Sequence, residues 1–139
     1  MNAVDTNVII YRIDRRDPRK RLQARDLLHR LARDEAPTII PWQVLGEYAR
    51  QLRAWKDQRS LSNVAFERYL AVVRALFPVI MPTEQVLDLA IDLASRHSLS
   101  HWDSMLLGAC KECGVTTLYT EDMGAPLQVD SIRLINPFK

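Results

Sequence analysis

The sequence has few cysteines and no long uncharged stretch, and these two scarcities exclude several classes of protein. Two cysteines in 139 residues, Cys110 and Cys113, cannot form the disulfide framework of a small secreted protein. The longest segment without a charged residue, 36–46, contains two prolines and is shorter than the roughly 18 apolar residues of a membrane-spanning helix. Because Asp5 and Arg12 interrupt any signal-peptide core, we expect a cytoplasmic protein.

The composition is that of a globular chain. Hydrophobic residues make up 47% and charged residues 26%, which excludes a disordered protein. The length suits one domain with a substantial core, and no repeat, low-complexity stretch or linker divides the sequence. We therefore expect a single domain over residues 1–139.

The net charge of +2 conceals an excess of basic residues at the N-terminal end. Residues 1–33 carry nine Lys or Arg against four Asp, so the rest of the chain is acidic. The residues concerned are Arg15, Arg16, Arg19, Lys20 and Arg21. Such a cluster can attract the phosphates of a nucleic acid, or it can be the solvated face of a helix.

Turn signals and short β-branched runs predict five strands. They are expected at 3–4, 38–40, 79–81, 116–119 and 132–135. Helices are expected at 8–13 and 64–77 and after residues 17, 41, 83 and 100. This alternation predicts an α/β fold, with a parallel sheet of about four to five short strands and helices on both faces.

Local signals fix several helix ends. Asp17 precedes Pro18 as an N-cap, Thr83 is a candidate cap, and Ser100 with Asp103 has the spacing of a capping box. The last helix, ending at Gly114, has an apolar stripe that is expected to be buried. The stripe contains Trp102, Met105, Leu106 and Ala109, continued by Cys113. The Cys110–Cys113 spacing of C-x-x-C falls at a helix end, which favours core packing over redox chemistry.

Four carboxylates fall where a parallel sheet places its ligands. Asp5 and Asp122 follow predicted strands, Asp103 lies in the first turn of a helix, and Glu47 lies in the second turn of another. If they converge, their repulsion is relieved by a divalent cation such as Mg²⁺ or Mn²⁺. Each also has a structural interpretation: Asp5 and Asp103 as helix caps, Asp122 as a loop residue, and Glu47 as a solvated side chain opposite an apolar stripe.

The same segments resemble the PIN-domain ribonucleases, and most closely the VapC-type toxins of prokaryotic toxin–antitoxin pairs. Four motifs in order carry the resemblance, at 4–11, 43–48, 101–104 and 118–123, and the ending at 135–138 is also usual in that family. The resemblance covers nearly the whole chain. Each motif is short, but their order and spacing together are specific.

The resemblance implies a site and an activity. Asp5, Glu47, Asp103 and Asp122 would be the catalytic, metal-binding acids. The neighbouring polar residues Thr6, Asn7, Ser104 and Thr120 would orient carboxylates or waters. The implied reaction is cleavage of RNA by water activated by one or two Mg²⁺ ions, with Mn²⁺ as an alternative. The implied partners are the RNA substrate, a cognate antitoxin and a second copy of the chain in a homodimer.

Three alternatives remain open from the sequence. The chain could be a non-catalytic PIN-like module that binds RNA or a protein. Glu121, which stands next to Asp122, could share or take its role as the fourth acid, although Glu121 matches a variable position of the family pattern. Trp42 and Trp55 could stack on bases or form a protein interface, whereas Tyr48 belongs to an apolar stripe.

Overall fold

The computed structural model describes residues 1–123 and 127–139. Within them the chain forms six strands and six helices. The strands are β1 (Asn2–Val4), β2 (Thr38–Pro41), β3 (Val79–Ile80), β4 (Thr117–Tyr119), β5 (Gln128–Val129) and β6 (Ile132–Ile135). The helices are α1 (Thr6–Tyr11), α2 (Pro18–Arg33), α3 (Trp42–Asp57), α4 (Asn63–Leu76), α5 (Gln85–Arg96) and α6 (His101–Glu112).

The strands form one sheet in the order β3-β2-β1-β4-β6-β5. Strand β1 lies inside the sheet and pairs in parallel with β2 and β4. Every residue of β1 and β2 is buried, and successive side chains of a strand point to opposite faces. Both faces of the sheet are therefore covered, and the predicted α/β fold with a largely parallel sheet is confirmed.

One strand was not predicted. Strand β5 pairs antiparallel with β6 through a two-residue turn, in which Asp130 has a positive φ of 51°. It is only two residues long, so it has too few alternating positions to give a sequence signal. The sheet consequently has six strands among the described residues instead of four to five.

The helix caps read from the sequence are largely present. The Asp17 carboxylate accepts from the backbone N–H of Lys20, with Pro18 at the first helical position. Ser100 caps α6, and Gly114 ends it with a φ of 78° that favours glycine. The cap predicted at Thr83 is wrong: α5 begins two residues later, and the Thr83 hydroxyl donates instead to the Glu112 carboxylate.

The apolar stripe predicted for α6 is also partly wrong. Leu106 is buried as predicted, but Trp102 is 63% exposed, and the helix buries Leu107 and Cys110, which lie outside the predicted stripe. Cys113 is only half-buried. Burial raises the pKa of the Cys110 thiol, which fits a packed side chain and not a redox-active thiolate.

Among the described residues, no helix has both the length and the apolar character needed to cross a membrane.

Candidate functional site

Asp5 lies where β1 ends and α1 begins. One of its carboxylate oxygens accepts from the backbone N–H of Thr6 at 2.6 Å, and the other accepts from the Thr120 hydroxyl at 2.7 Å. Burial raises the pKa of Asp5; the two hydrogen bonds oppose this, and the negative charges of Glu47 and Asp103 add to the increase. The Asp5 carboxylate is thus fixed in orientation, and burial together with the neighbouring charges makes its ionised form unfavourable.

Glu47 reaches the same place from α3. Its Oε2 accepts from the Thr6 hydroxyl at 2.7 Å, and its Oε1 accepts from the Gln43 side-chain amide at 3.0 Å. The amide of Gln43 also donates to the carbonyl of Trp102 at 3.1 Å, which links α3 to the start of α6. The side chain of Glu47 is therefore held by neighbours and is not a freely solvated group.

Asp103 lies in the first turn of α6. Its backbone N–H donates to the Ser100 hydroxyl at 3.2 Å, so helix capping uses the main chain of Asp103 and leaves its carboxylate for the site. Ser104 is placed differently from the other polar residues. It is buried, and its hydroxyl donates to the Ser100 carbonyl at 2.8 Å instead of to a carboxylate.

Glu121 and Asp122 follow β4, and their surroundings differ. The Glu121 carboxylate forms an ion pair with Lys20, and its backbone N–H and carbonyl bond to the side chains of Asn7 and Asn136. Asp122 is exposed. The charge of Glu121 is thus largely balanced within the fold, whereas the carboxylate of Asp122 is open to solvent.

These residues line one open cavity of about 400 Å³. It brings together the four acids expected from the sequence, Asp5, Glu47, Asp103 and Asp122. Thr6, Asn7 and Glu121 line it as well, and Arg16 and Arg50 supply positive charge. Four segments that are far apart in the sequence therefore meet at the carboxyl end of the sheet, as expected for this class of fold.

The donor set suits a divalent cation. Carboxylate oxygens are the hard ligands that Mg²⁺ and Mn²⁺ prefer. Such an ion would favour the ionised form of Asp5, whose pKa is raised by burial and further by the charges of Glu47 and Asp103. The side chains stand apart, however. In residues 1–123 and 127–139, no group of three or more His, Cys, Asp or Glu side chains is positioned to hold one metal ion.

The predicted basic cluster is divided between several roles. Lys20 pairs with Glu121, with its ammonium 4.6 Å from the centre of the Tyr11 ring. Arg16 lines the cavity and donates two side-chain hydrogen bonds to Asp14, at 3.0 and 2.9 Å. Arg15 and Arg19 are exposed, and Arg21 is half-buried.

Several residues of the cavity were not predicted from the sequence, and Trp102, Gln43 and Arg50 illustrate why. Trp102 was assigned to the core because its spacing fits an apolar stripe. Gln43 was noted only as part of a motif, although its position four residues before Glu47 is a signal for a side-chain contact on one helix face. Arg50 gave no signal, because it is one of many arginines in the chain.

Comparison with protein families gives one assignment over most of the chain. The family model of the PIN domain matches residues 3–126. A search of curated proteins gives no match to the sequence.

Several solved structures share the fold. One is a toxin–antitoxin complex from Klebsiella pneumoniae, with 15% identity, a TM-score of 0.70, and coverage of 99% of this chain and 98% of the other. A second is VapBC2 from Rickettsia felis bound to a promoter DNA fragment, with 15% identity, a TM-score of 0.73 and 97% coverage of both chains. A third is VapC20 from Mycobacterium tuberculosis, a toxin that cleaves the sarcin-ricin loop, with 18% identity, a TM-score of 0.66, and coverage of 96% and 99%. At identities this low, these structures show a shared fold and nothing more.

Proposed function

The chain belongs to the PIN domain family, and from that premise we propose that residues 1–139 form a single metal-dependent endoribonuclease domain, the toxin of a toxin–antitoxin pair. The supporting observation is that four acids from four separate segments line one cavity. The solved toxins of the same fold, one of which cleaves RNA, favour this activity over other chemistry.

In this proposal Asp5, Glu47, Asp103 and Asp122 hold Mg²⁺ or Mn²⁺. When bound, the cation supplies the charge that activates a water molecule and stabilises the phosphate group as it reacts. The hydroxyls of Thr6 and Thr120 fix the orientation of two carboxylates, Glu47 and Asp5. Arg16 and Arg50 lie on the same cavity and would hold the flanking phosphates of the RNA chain.

The decisive experiment compares cleavage of an RNA pool with Mg²⁺ or Mn²⁺ and with excess EDTA. The protein should cut RNA only with the metal, and Asp103→Asn should abolish cutting while leaving the fold intact, because capping uses the backbone of that residue. Asp57→Asn removes one exposed carboxylate at the end of α3, away from the cavity, and should cut normally.

Metal affinity is tested by calorimetric titration with Mn²⁺. Saturable binding that Asp5→Asn weakens sharply supports the ligand set, and equal binding by both proteins contradicts it. RNA that binds but is never cut under any metal condition would instead identify the chain as a non-catalytic PIN-like module.

The proposed partners are an antitoxin and a second copy of the chain. A groove of about 500 Å³ runs between the α1–α2 connection and the α3–α4 hairpin, beside the acidic cavity. Its walls combine apolar Trp55, Leu61 and Tyr69 with Arg15 and Arg16. Co-purification of the protein of a neighbouring reading frame would test the antitoxin, and light scattering would test the homodimer.

A further inference from the structure

Trp102 is the large apolar side chain most exposed at the acidic cavity. It is 63% exposed and lines the cavity together with Asp5, Glu47 and Asp103. The inward face of α6 is filled by other side chains, so the core does not take up the indole. A tryptophan left in water beside a charged cavity has a large apolar surface still to bury.

The indole is held in a defined place. The ring of His101 meets it edge to face, with 4.7 Å between the ring centres. The backbone carbonyl of Trp102 accepts from the Gln43 amide that also donates to Glu47. The backbone of Trp102 is thereby tied to one of the four acids, which places the indole at the mouth of the cavity.

The chemistry of the surroundings identifies the occupant. The cavity wall near the indole is charged and polar, with carboxylates and the guanidinium groups of Arg16 and Arg50, which is unlike the apolar core of a protein interface. A nucleotide matches both parts of the site. Its phosphate suits a cavity with two arginines and carboxylates that would hold a metal ion, and its base has a planar face. In duplex RNA that face is covered by neighbouring base pairs.

We propose that Trp102 is a stacking platform for an unpaired base next to the cleaved phosphate. This rests on the proposed nuclease function and adds a residue that positions the substrate. Base stacking on aromatic side chains tolerates any sequence and is strongest for purines.

The test uses binding without cleavage, in the Asp103→Asn background with Mg²⁺ present. Oligoadenylate should quench tryptophan fluorescence, and Trp102→Ala should weaken its binding by about 5- to 100-fold. Trp102→Phe should retain most of the affinity. Trp42→Ala is the matched control, because Trp42 is also exposed (49%) but does not line the cavity, and it should bind normally.

Replacing one base with an abasic position gives a second, independent readout. The abasic oligonucleotide should bind more weakly than the intact one to the protein that retains Trp102. The Trp102→Ala variant should bind both oligonucleotides with the same affinity. Equal binding of single strand and blunt duplex, or unchanged affinity of Trp102→Ala, overturns the proposal. A switch from dimer to monomer in that variant with unchanged RNA affinity also overturns it, and assigns the indole to contact between copies.

The outcomes separate this proposal from the function on which it rests. Cleavage by the unmodified protein together with indifference to Trp102→Ala leaves the nuclease standing and removes the platform. Tryptophan-dependent binding of single strands by a protein that never cuts keeps the platform and removes the nuclease.

Discussion

At the scale of single residues, the environment of Asp5 disfavours the charge that the proposed function requires. Its carboxylate is partly buried, accepts two hydrogen bonds and faces the charges of Glu47 and Asp103. The raised pKa means that the folded protein would be more stable if this group were neutral. A residue retained in such an environment is a candidate for function and not for stability.

Asp5→Asn should therefore stabilise the metal-free protein. The amide retains an oxygen for the Thr6 N–H, and the Thr120 hydroxyl can rotate to accept from its nitrogen. Removing the buried charge and its repulsion by Glu47 and Asp103, worth on the order of 1 kcal/mol, would raise the melting temperature by about 3–5 °C at pH 7 in EDTA. Differential scanning calorimetry measures the shift.

Asp17→Asn is the matched control. Asp17 is also a helix N-cap, but its neighbours are basic, so loss of its charge should leave the melting temperature unchanged or slightly lower. A lower melting temperature for Asp5→Asn would show that hydrogen bonding to the charged form outweighs the repulsion.

Sequence patterns predicted some residues well and others poorly, for physical reasons. Asp17, Ser100 and Gly114 act through bonds and dihedral angles of their own helix, so local signals located them. Trp102 was misplaced because helical periodicity identifies an apolar stripe without showing which neighbour covers it. The balance of charge between Glu121 and Lys20 spans 101 positions and is visible only in the fold.

At the scale of elements, α5 and α6 pack closely around a glycine. A Cβ atom added to Gly108 of α6 would lie 3.0 Å from the carbonyl oxygen of Val86 and 3.2 Å from the nitrogen of Ala90, both in α5. Because these are backbone atoms, the helices themselves must move apart to admit a side chain. The small residue at this position sets the distance between the helices.

Gly108→Ala should accordingly destabilise the protein, by about 1–3 kcal/mol in urea unfolding. Gly46 of α3 provides the opposite case, since an added Cβ there meets nothing in the described residues within 4 Å beyond its chain neighbours and the backbone of its own helix. Gly46→Ala should stabilise the protein by about 0.5–1 kcal/mol through helix propensity. If the free energy of unfolding falls for Gly108→Ala and rises for Gly46→Ala, the effect of helix packing is separated from that of helix propensity. A rise in both variants would contradict the close approach of α5 and α6.

The β5–β6 turn is joined to these two helices through Asp130. Its carboxylate accepts from Arg96 of α5 at 2.8 Å and from Lys111 of α6 at 2.7 Å. These cations, Arg96 first, hold the pKa of Asp130 well below its usual value. The stability from this group is therefore present above the unfolded pKa of about 3.9 and is lost as the pH falls through the lower folded value.

Asp130→Asn should lower the free energy of unfolding by up to about 1 kcal/mol at pH 7 and by less below about pH 4. Asparagine also tolerates the positive φ at this position, so the variant removes charge without straining the turn. Urea unfolding from pH 7 to pH 3 measures the difference, and a gap that stays constant with pH would exclude the ion pairs as its cause. Asp92→Asn removes only one exposed partner of Arg96 and should have the smaller effect.

At the scale of the whole molecule, the alternation of strands and helices was enough to predict the α/β class. The spacing of apolar residues that marks a strand or a helix depends only on neighbouring residues in the sequence. Strand order and the meeting of four acids depend on pairings between distant segments, such as Ala3 with both Ile39 and Leu118. The family resemblance supplied that information as an expectation. The contacts that hold the acids, from Thr6 to Glu47 and from Thr120 to Asp5, required the structure.

The basic residues near the N-terminus contribute to the electrostatic field of the whole protein, which attracts RNA in the proposed function. Within the basic cluster, Asp14 engages Arg16, Glu121 engages Lys20 and Arg21 is half-buried, which leaves Arg15 and Arg19 as its exposed cations outside these ion pairs. If these two hold RNA phosphates, changing both to Gln should reduce the slope of log affinity against log salt by about 1–2. Filter binding of single-stranded RNA between about 50 and 200 mM salt gives the slope.

Arg30 and Arg33 supply a control with the same change of net charge. Both are exposed in the last turn of α2, and Arg33 lies 14 residues beyond Arg19, roughly 20 Å along the helix. That is about twice the screening length at 0.1 M salt, so Arg30→Gln with Arg33→Gln should leave the slope unchanged. Equal effects of the two double variants would mean that RNA senses only the net charge. A slope that changes in neither variant would identify the basic cluster as a solvated face of the molecule.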